Sequence, residues 1–292
     1  MDQAEALRNV IKKQNLEAKP NARIITITSG KGGVGKSNTA VNLAVQFRKM
    51  GMRVIIFDAD FGLANVEVMF GAIPKFNLSD LIYGEKTIRD IITEGPMGIG
   101  FISGGSGISG MENLTKGQIV YLIKCLNELN DLADVIIVDT GAGISDSVLE
   151  FVLASPEVLV VTTPDPSSLT DAYSLLKVLY ANPNFKKDVT QLKIVANKAS
   201  SLEEAQAVFE KLESVVLQFL QGDIEYLGMI PQDSELEMAV RQQKIVSMSA
   251  PNSKSAKSFE VLASNLIHHE HKEMRMKWGV AQLFSYFIAR RS

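Results

Sequence analysis

Short, nearly continuous apolar runs alternate along the chain with longer stretches in which apolar residues recur at helical spacing. The clearest runs are Val135-Ile-Ile-Val138 and Val158-Leu-Val-Val161, and their lack of polar alternation marks strands buried on both faces of a parallel sheet. This pattern predicts strands over residues 24–28, 53–58, 100–103, 135–139, 158–162, 193–197 and 224–228. Helices are predicted over 36–50, 117–132, 146–154, 168–180, 202–219 and 253–269, where the spacing follows a 3.6-residue period. Repeated β-α units of this kind predict an α/β fold, with a mostly parallel central sheet flanked by helices on both faces. The glycines from Gly104 to Gly110 read as one mobile loop, and nothing resembling a Pro-rich linker or an internal repeat divides the body.

Both ends depart from this rhythm. Near the start, Asp2 can cap a short helix that carries Glu5 and a narrow apolar stripe of Leu7, Val10 and Ile11 before Pro20 and Asn21. Near the end, Met276, Val280, Leu283, Phe284, Phe287 and Ile288 share one helical face, flanked by Trp278 and Tyr286. Lys272, Arg275, Lys277, Arg290 and Arg291 surround that face. The apolar stretch is too short to span a bilayer and is broken by Gln282 and Ser285, so two readings stand: a helix lying in the interface of an anionic membrane, or a final helix docked on the body. The expected organisation is therefore residues 1–20 as a helical arm and linker, 21–271 as the α/β body, and 272–292 as an amphipathic tail.

Composition narrows the picture. A chain of 292 residues that is 46% hydrophobic can build one large α/β core. Its formal net charge of −3 gives no expectation of direct nucleic-acid binding. The single cysteine, Cys125, allows no internal disulfide or thiolate cluster. With no apolar signal region and no long apolar run, the expected location is cytoplasmic, with reversible attachment to the inner face of the membrane. All three histidines, His268, His269 and His271, fall near the end, without a carboxylate or thiolate pattern to complete a metal site.

The chemistry is concentrated in Gly30-Lys-Gly-Gly-Val-Gly-Lys-Ser37, which fits the G-x-x-x-x-G-K-[ST] pattern between a predicted strand and a predicted helix. Glycines at these places let successive N–H groups turn inward toward phosphate oxygens, and the helix that follows adds the positive end of its dipole. Gly30, Lys31, Gly32, Gly33, Val34, Gly35, Lys36, Ser37 and Asn38 are thus the expected cradle for ATP, with Lys36 on the terminal phosphates and Ser37 on Mg²⁺. Asp58, Asp60 and Asp139 fall at the carboxyl ends of predicted strands, where open parallel sheets bind ligands. A carboxylate there holds the metal's water shell or orients an attacking water, though each could also simply cap the next helix.

The extra lysine at Lys31 makes Lys31-Gly-Gly-Val-Gly-Lys-Ser37 resemble the deviant Walker A motif of the MinD/ParA class of ATPases, a branch of the P-loop NTPases. Asp58-Ala-Asp-Phe-Gly-Leu-Ala-Asn65 resembles its switch I, and Asp139-Thr-Gly-Ala-Gly143 its switch II. The resemblance implies an ATP-dependent homodimer in which Lys31 reaches the partner's phosphates. It also implies that Asp60 polarises the attacking water, that Asp58 and Asp139 support Mg²⁺, and that Asn197, Pro231 and Gln232 line the adenine. The start Asp2-Gln-Ala-Glu-Ala-Leu-Arg8 and the basic tail are similar to the FlhG (YlxH) family, MinD-like ATPases that control flagellar number and placement. For that family the arm, here Asp2, Gln3, Leu7 and Arg8, binds the signal-recognition-type GTPase FlhF and stimulates GTP hydrolysis; flagellar basal-body proteins are further implied partners. By its residues alone the arm is only a capped amphipathic helix.

Other functions remain in view. An iron–sulfur carrier would need more than Cys125. A DNA-partitioning ATPase would share the phosphate loop but calls for basic surface patches. A nucleotide-bound scaffold that does not hydrolyse would have no need of Lys36, Ser37, Asp60 and Asp139 together.

Overall fold

In the computed structural model, residues 21–60, 65–84, 86–104 and 125–268 are described. The helical arm with Asp2, Gln3, Leu7 and Arg8, the tail from Met276 to Ile288, His269 and His271, the glycines after Gly104, Phe61 to Ala64 of switch I, and the start of the helix expected at 117–132 lie outside them.

The described strands are β1 (Arg23–Thr28), β2 (Val54–Ala59), β3 (Thr93–Glu94), β4 (Gly100–Ser103), β5 (Val135–Thr140), β6 (Glu157–Thr162), β7 (Gln191–Ala199) and β8 (Glu225–Pro231). They form one sheet in the order β3-β4-β2-β5-β1-β6-β7-β8, parallel throughout except for the antiparallel pair β3–β4. The helices are α1 (Lys36–Lys49), α2 (Asn65–Phe70), α3 (Leu78–Tyr83), α4 (Ile88–Ile91), α5 (Leu129–Leu132), α6 (Asp146–Leu153), α7 (Pro166–Ala181), α8 (Leu202–Val215), α9 (Ser234–Arg241), α10 (Val246–Ser249) and α11 (Lys254–His268).

Period-two alternation within the apolar strands explains the three layers. Ile25, Ile27, Ile56 and Ile137 face a core shared with α1 and α11, whereas Ile24, Ile55, Ile136 and Val138 face the opposite one. Each fully buried aliphatic side chain contributes about 1.5–3 kcal/mol, so sheet and helices are mutually dependent. The helix expected over 202–219 changes character partway: after α8 the chain runs through a π-helical turn, Val216–Leu220, and leaves it at Gln221 with φ 51°. Among the described residues no helix is long and apolar enough to cross a membrane.

Charges are buried at the amino ends of the strands. Arg23 donates from Nε and from its terminal nitrogen to the two oxygens of Glu157, at 2.8 and 2.9 Å, and Lys193 Nζ reaches the same carboxylate at 2.6 Å. Burial by itself would raise the Glu157 carboxyl, but the bonds and charges of Arg23 and Lys193 hold it below the usual value.

Candidate nucleotide-binding site

The phosphate loop leaves the carboxyl end of β1 and feeds α1. Gly30 must be glycine because α7 passes against it: a β-carbon there would collide with the Asp171 carbonyl and lie 2.6 Å from the Ala172 nitrogen. Gly33 and Gly35 are required for another reason, their left-handed φ of 77° and 101°. Gly35 is the N-cap of α1 and supplies no side-chain cap, so the helix presents open N–H groups to an anion. Val34 and Lys36 are buried, while Lys31, Gly32 and Gly33 are exposed. Burial lowers the Lys36 ammonium from its ordinary value, against the opposing charges of Asp139 and Asp60.

Those charges come from neighbouring strands. Asp58 of β2 lies directly beside Asp139 of β5 in the parallel register, and β5 adjoins β1. Burial, then the neighbouring Asp139, pushes the Asp58 carboxyl up to about 8, although it accepts the Asp60 and Val66 N–H groups at 3.1 and 3.3 Å. Burial also pushes fully buried Asp139 up to about 7. Ser37 and Lys36 lie close enough to oppose that shift, but neither Asp139 oxygen has a hydrogen bond of good geometry. Two orphaned carboxylate oxygens beside the Ser37 hydroxyl fit a cation held through its waters. Among the described residues no three His, Cys, Asp or Glu side chains group closely enough to hold a metal ion between them; Mg²⁺ keeps much of its hydration shell. Ser37 would bind the ion, with Asp139 and Asp58 on its waters; the ion would neutralise charge on the β- and γ-phosphates.

Asp60 sits at the mouth of this cluster, near Gly141 of the loop after β5. That loop is tied to the phosphate loop by the Gly143 N–H, which donates to Ser29 O at 2.9 Å, and Ala142 faces Gly32. Lys31 extends over the surface and donates to the Ser167 hydroxyl of α7 at 2.6 Å. Asn38, at the start of α1, has a buried side-chain oxygen without a partner.

On the other flank, Asn197 is buried at the carboxyl end of β7. Its carboxamide donates to Val34 O at 2.7 Å, a contact with the phosphate loop that the family resemblance did not imply. Pro231 ends β8, and the Gln232 N–H donates to Ala199 O at 2.9 Å, which sets both residues beside the end of β7. The sequence reading passed over Lys198, Asp171 and Ser167. Nothing local marks the latter two, which meet the loop only through tertiary packing. Lys198 carried a faint signal as part of the polar, turn-forming Asn197-Lys-Ala-Ser-Ser201.

A family model described as NUBPL iron-transfer P-loop NTPase, of the ParA type, matches residues 21–267. The chain belongs to the ParA family of P-loop NTPases. Among ParA-family relatives, the antiactivator FleN of Pseudomonas aeruginosa is 41% identical, covering 84% of this chain and 86% of FleN. The flagellum site-determining protein YlxH of Helicobacter pylori is 39% identical, over 91% of this chain and 90% of YlxH. The cell division ATPase MinD of Pyrococcus furiosus superposes with a TM-score of 0.64 at 26% identity, covering 84% of this chain and 98% of MinD. Within the ParA family this chain therefore stands in the FleN/YlxH (FlhG) branch, and like the family it is an ATPase. The iron-transfer part of the family description does not carry over to its residues: thiolate clusters need several cysteines, and Cys125 stands alone and buried.

Proposed function

We propose that this ATPase is a nucleotide-controlled switch that sets flagellar number and placement. The name of YlxH, a flagellum site-determining protein, supports the flagellar setting. One structural observation carries the switch: Asp58 and Asp139 are buried side by side at the phosphate loop with pKa values far above the carboxylate range. Such a cluster is stabilised when a cation and its triphosphate arrive. Asp58 also accepts the Asp60 and Val66 N–H groups, so relief at the cluster is felt at Asp60 and at Val66 of α2.

In this proposal ATP·Mg²⁺ drives dimerisation, with exposed Lys31 leaving Ser167 to reach the phosphates of a second copy. Asp60 orients the attacking water. Residues 272–292 attach the dimer reversibly to anionic lipid on the cytoplasmic face of the membrane, because two weak basic tails bind together far better than one. The arm stimulates the GTPase FlhF, with Gln3 offering a carboxamide that both donates to and accepts from a hydrolytic water. Flagellar basal-body proteins would complete the set of partners.

Sedimentation with saturating ATP·Mg²⁺ tests the central step. Asp60→Ala is expected to accumulate as a dimer, and Lys31→Ala to bind ATP yet remain monomeric. A monomeric Asp60→Ala or a dimeric Lys31→Ala overturns the proposal.

A further inference from the structure

Behind the phosphate loop, two adjacent side chains of β7 grip two successive loop carbonyls. Asn197 Nδ2 donates to Val34 O at 2.7 Å, and Lys198 Nζ donates to Gly33 O at 3.1 Å. The Asn197 carboxamide can sit only this way round, because its oxygen accepts the Lys198 N–H at 2.8 Å. Lys198 reaches its position at a cost. It is a non-glycine residue at φ 57°, at the register irregularity between Asn197 and Ala199, a left-handed conformation that strains a residue carrying a β-carbon. No carboxylate pairs with its ammonium among the described residues, so an ion pair does not account for its placement.

The geometry of the peptide unit gives the grip a purpose. In a trans peptide the C=O of one residue and the N–H of the next point in opposite directions within one plane. Holding Gly33 O and Val34 O toward β7 therefore turns the Val34 and Gly35 N–H groups away from β7, toward the open side of the loop. Neither N–H has a hydrogen-bond partner among the described residues. Two unpaired donors fixed in direction form an anion-binding nest, and glycine alone would leave that direction loose, since Gly33 and Gly35 can rotate freely.

We propose that Asn197 and Lys198 brace the phosphate loop from behind, and that Lys198 is a positioning residue that aims the Val34 and Gly35 N–H groups at the phosphates of the nucleotide. Its contribution passes through the loop backbone and is independent of the base. The proposal rests on the phosphate-loop reading of Gly30 to Ser37.

The test compares Lys198→Gly, Lys198→Met and Lys198→Arg by calorimetric titration with ATP·Mg²⁺ and with inorganic tripolyphosphate·Mg²⁺, alongside thermal unfolding. Lys198→Gly removes the ammonium but suits the left-handed backbone, so its Tm is expected to hold or rise slightly. Its affinity for both ligands is expected to fall by the same factor, about five- to ten-fold, the worth of one ordinary hydrogen bond, because Lys198 is exposed. Lys198→Met should weaken both ligands likewise, and Lys198→Arg should recover most of the loss. Native-like affinity of Lys198→Gly for tripolyphosphate overturns the brace, as does a loss confined to ATP, which would place the contact on the base side. A Tm loss that matches the affinity loss overturns it as well, since it would mark Lys198 as merely structural. Should the native protein bind neither ligand, the phosphate-loop reading itself fails, a result separable from every variant effect.

Discussion

The two ends of the sheet bury charge in opposite ways. At the amino end, Glu157 meets Arg23 and Lys193, all its oxygens are bonded, and its pKa is held low. At the carboxyl end, Asp58 and Asp139 lie side by side, the Asp139 oxygens have no good hydrogen bond, and both pKa values are raised. The first cluster is complete within the chain. The second is complete only with something added, and the phosphate loop next to it indicates what. Unsatisfied buried charge thus marks the working end of this fold more sharply than burial or charge does alone.

The amino end should give the largest response to mutation. Glu157→Ala would leave Lys193 charged and buried at 1% exposure, and urea denaturation at pH 7 is expected to show a loss of roughly 3–5 kcal/mol. Replacing both partners, as in Glu157→Leu with Lys193→Met, should recover most of it, because a well-packed apolar pair avoids the desolvation cost. A loss below about 1 kcal/mol for Glu157→Ala would remove the contrast between the two ends.

At the carboxyl end the sign reverses. The folded Asp58 and Asp139 carboxyls keep their protons up to about 8 and about 7, whereas an unfolded Asp releases its proton near about 3.9. Between those values the folded state binds more protons, so these groups make stability fall as pH rises through that window. Asp139→Asn removes part of this penalty. In nucleotide-free protein it is expected to raise stability by about 2–4 kcal/mol at pH 8 and by almost nothing at pH 4, while abolishing Mg²⁺-dependent phosphate release. Glu157 acts in the other direction, its contribution being lost only in acid as pH falls toward its depressed pKa. Denaturation curves of native protein and Asp139→Asn across that range would separate the two ends; a variant as pH-sensitive as the native protein breaks the comparison.

The smallest effect serves as a control. Arg53 bonds Asp134 at 2.7 Å with good geometry, but the side chains are 50% and 45% exposed. Arg53→Ala is expected to cost less than about 1 kcal/mol, and less still in high salt. A larger loss in thermal melts would show that pairing matters here irrespective of burial.

What the sequence disclosed follows from length scale. The buried strands were legible because Val135 to Val138 and Val158 to Val161 are apolar on both faces, and Gly30 to Ser37 because its spacing serves a backbone purpose. Strand β3 and the short helices α3 and α4 went unseen, since fewer than two turns cannot establish a period. Their capping boxes, Asn77 with Asp80 and Thr87 with Asp90, were nevertheless present as local signals. Likewise β8 extends to Pro231, at the end of an edge strand where a missing N–H does no harm. The Glu157 cluster joins residues far apart in the chain, and the left-handed Lys198 inside a strand left only the faint signal of a polar, turn-forming stretch.

Gly30 has a consequence at the level of inheritance. Every amino acid that a single base change can substitute at a glycine codon adds a β-carbon, and at Gly30 any β-carbon strikes the backbone of α7, which cannot be trimmed by a second side-chain replacement. Gly33, with open space around the same position, meets only a torsional objection, which Asn or Asp would soften; Asp lies one base change from half of the glycine codons but would bring negative charge to a loop built to receive phosphate. The first position is closed to variation by packing, and the second is restricted by torsion and charge together.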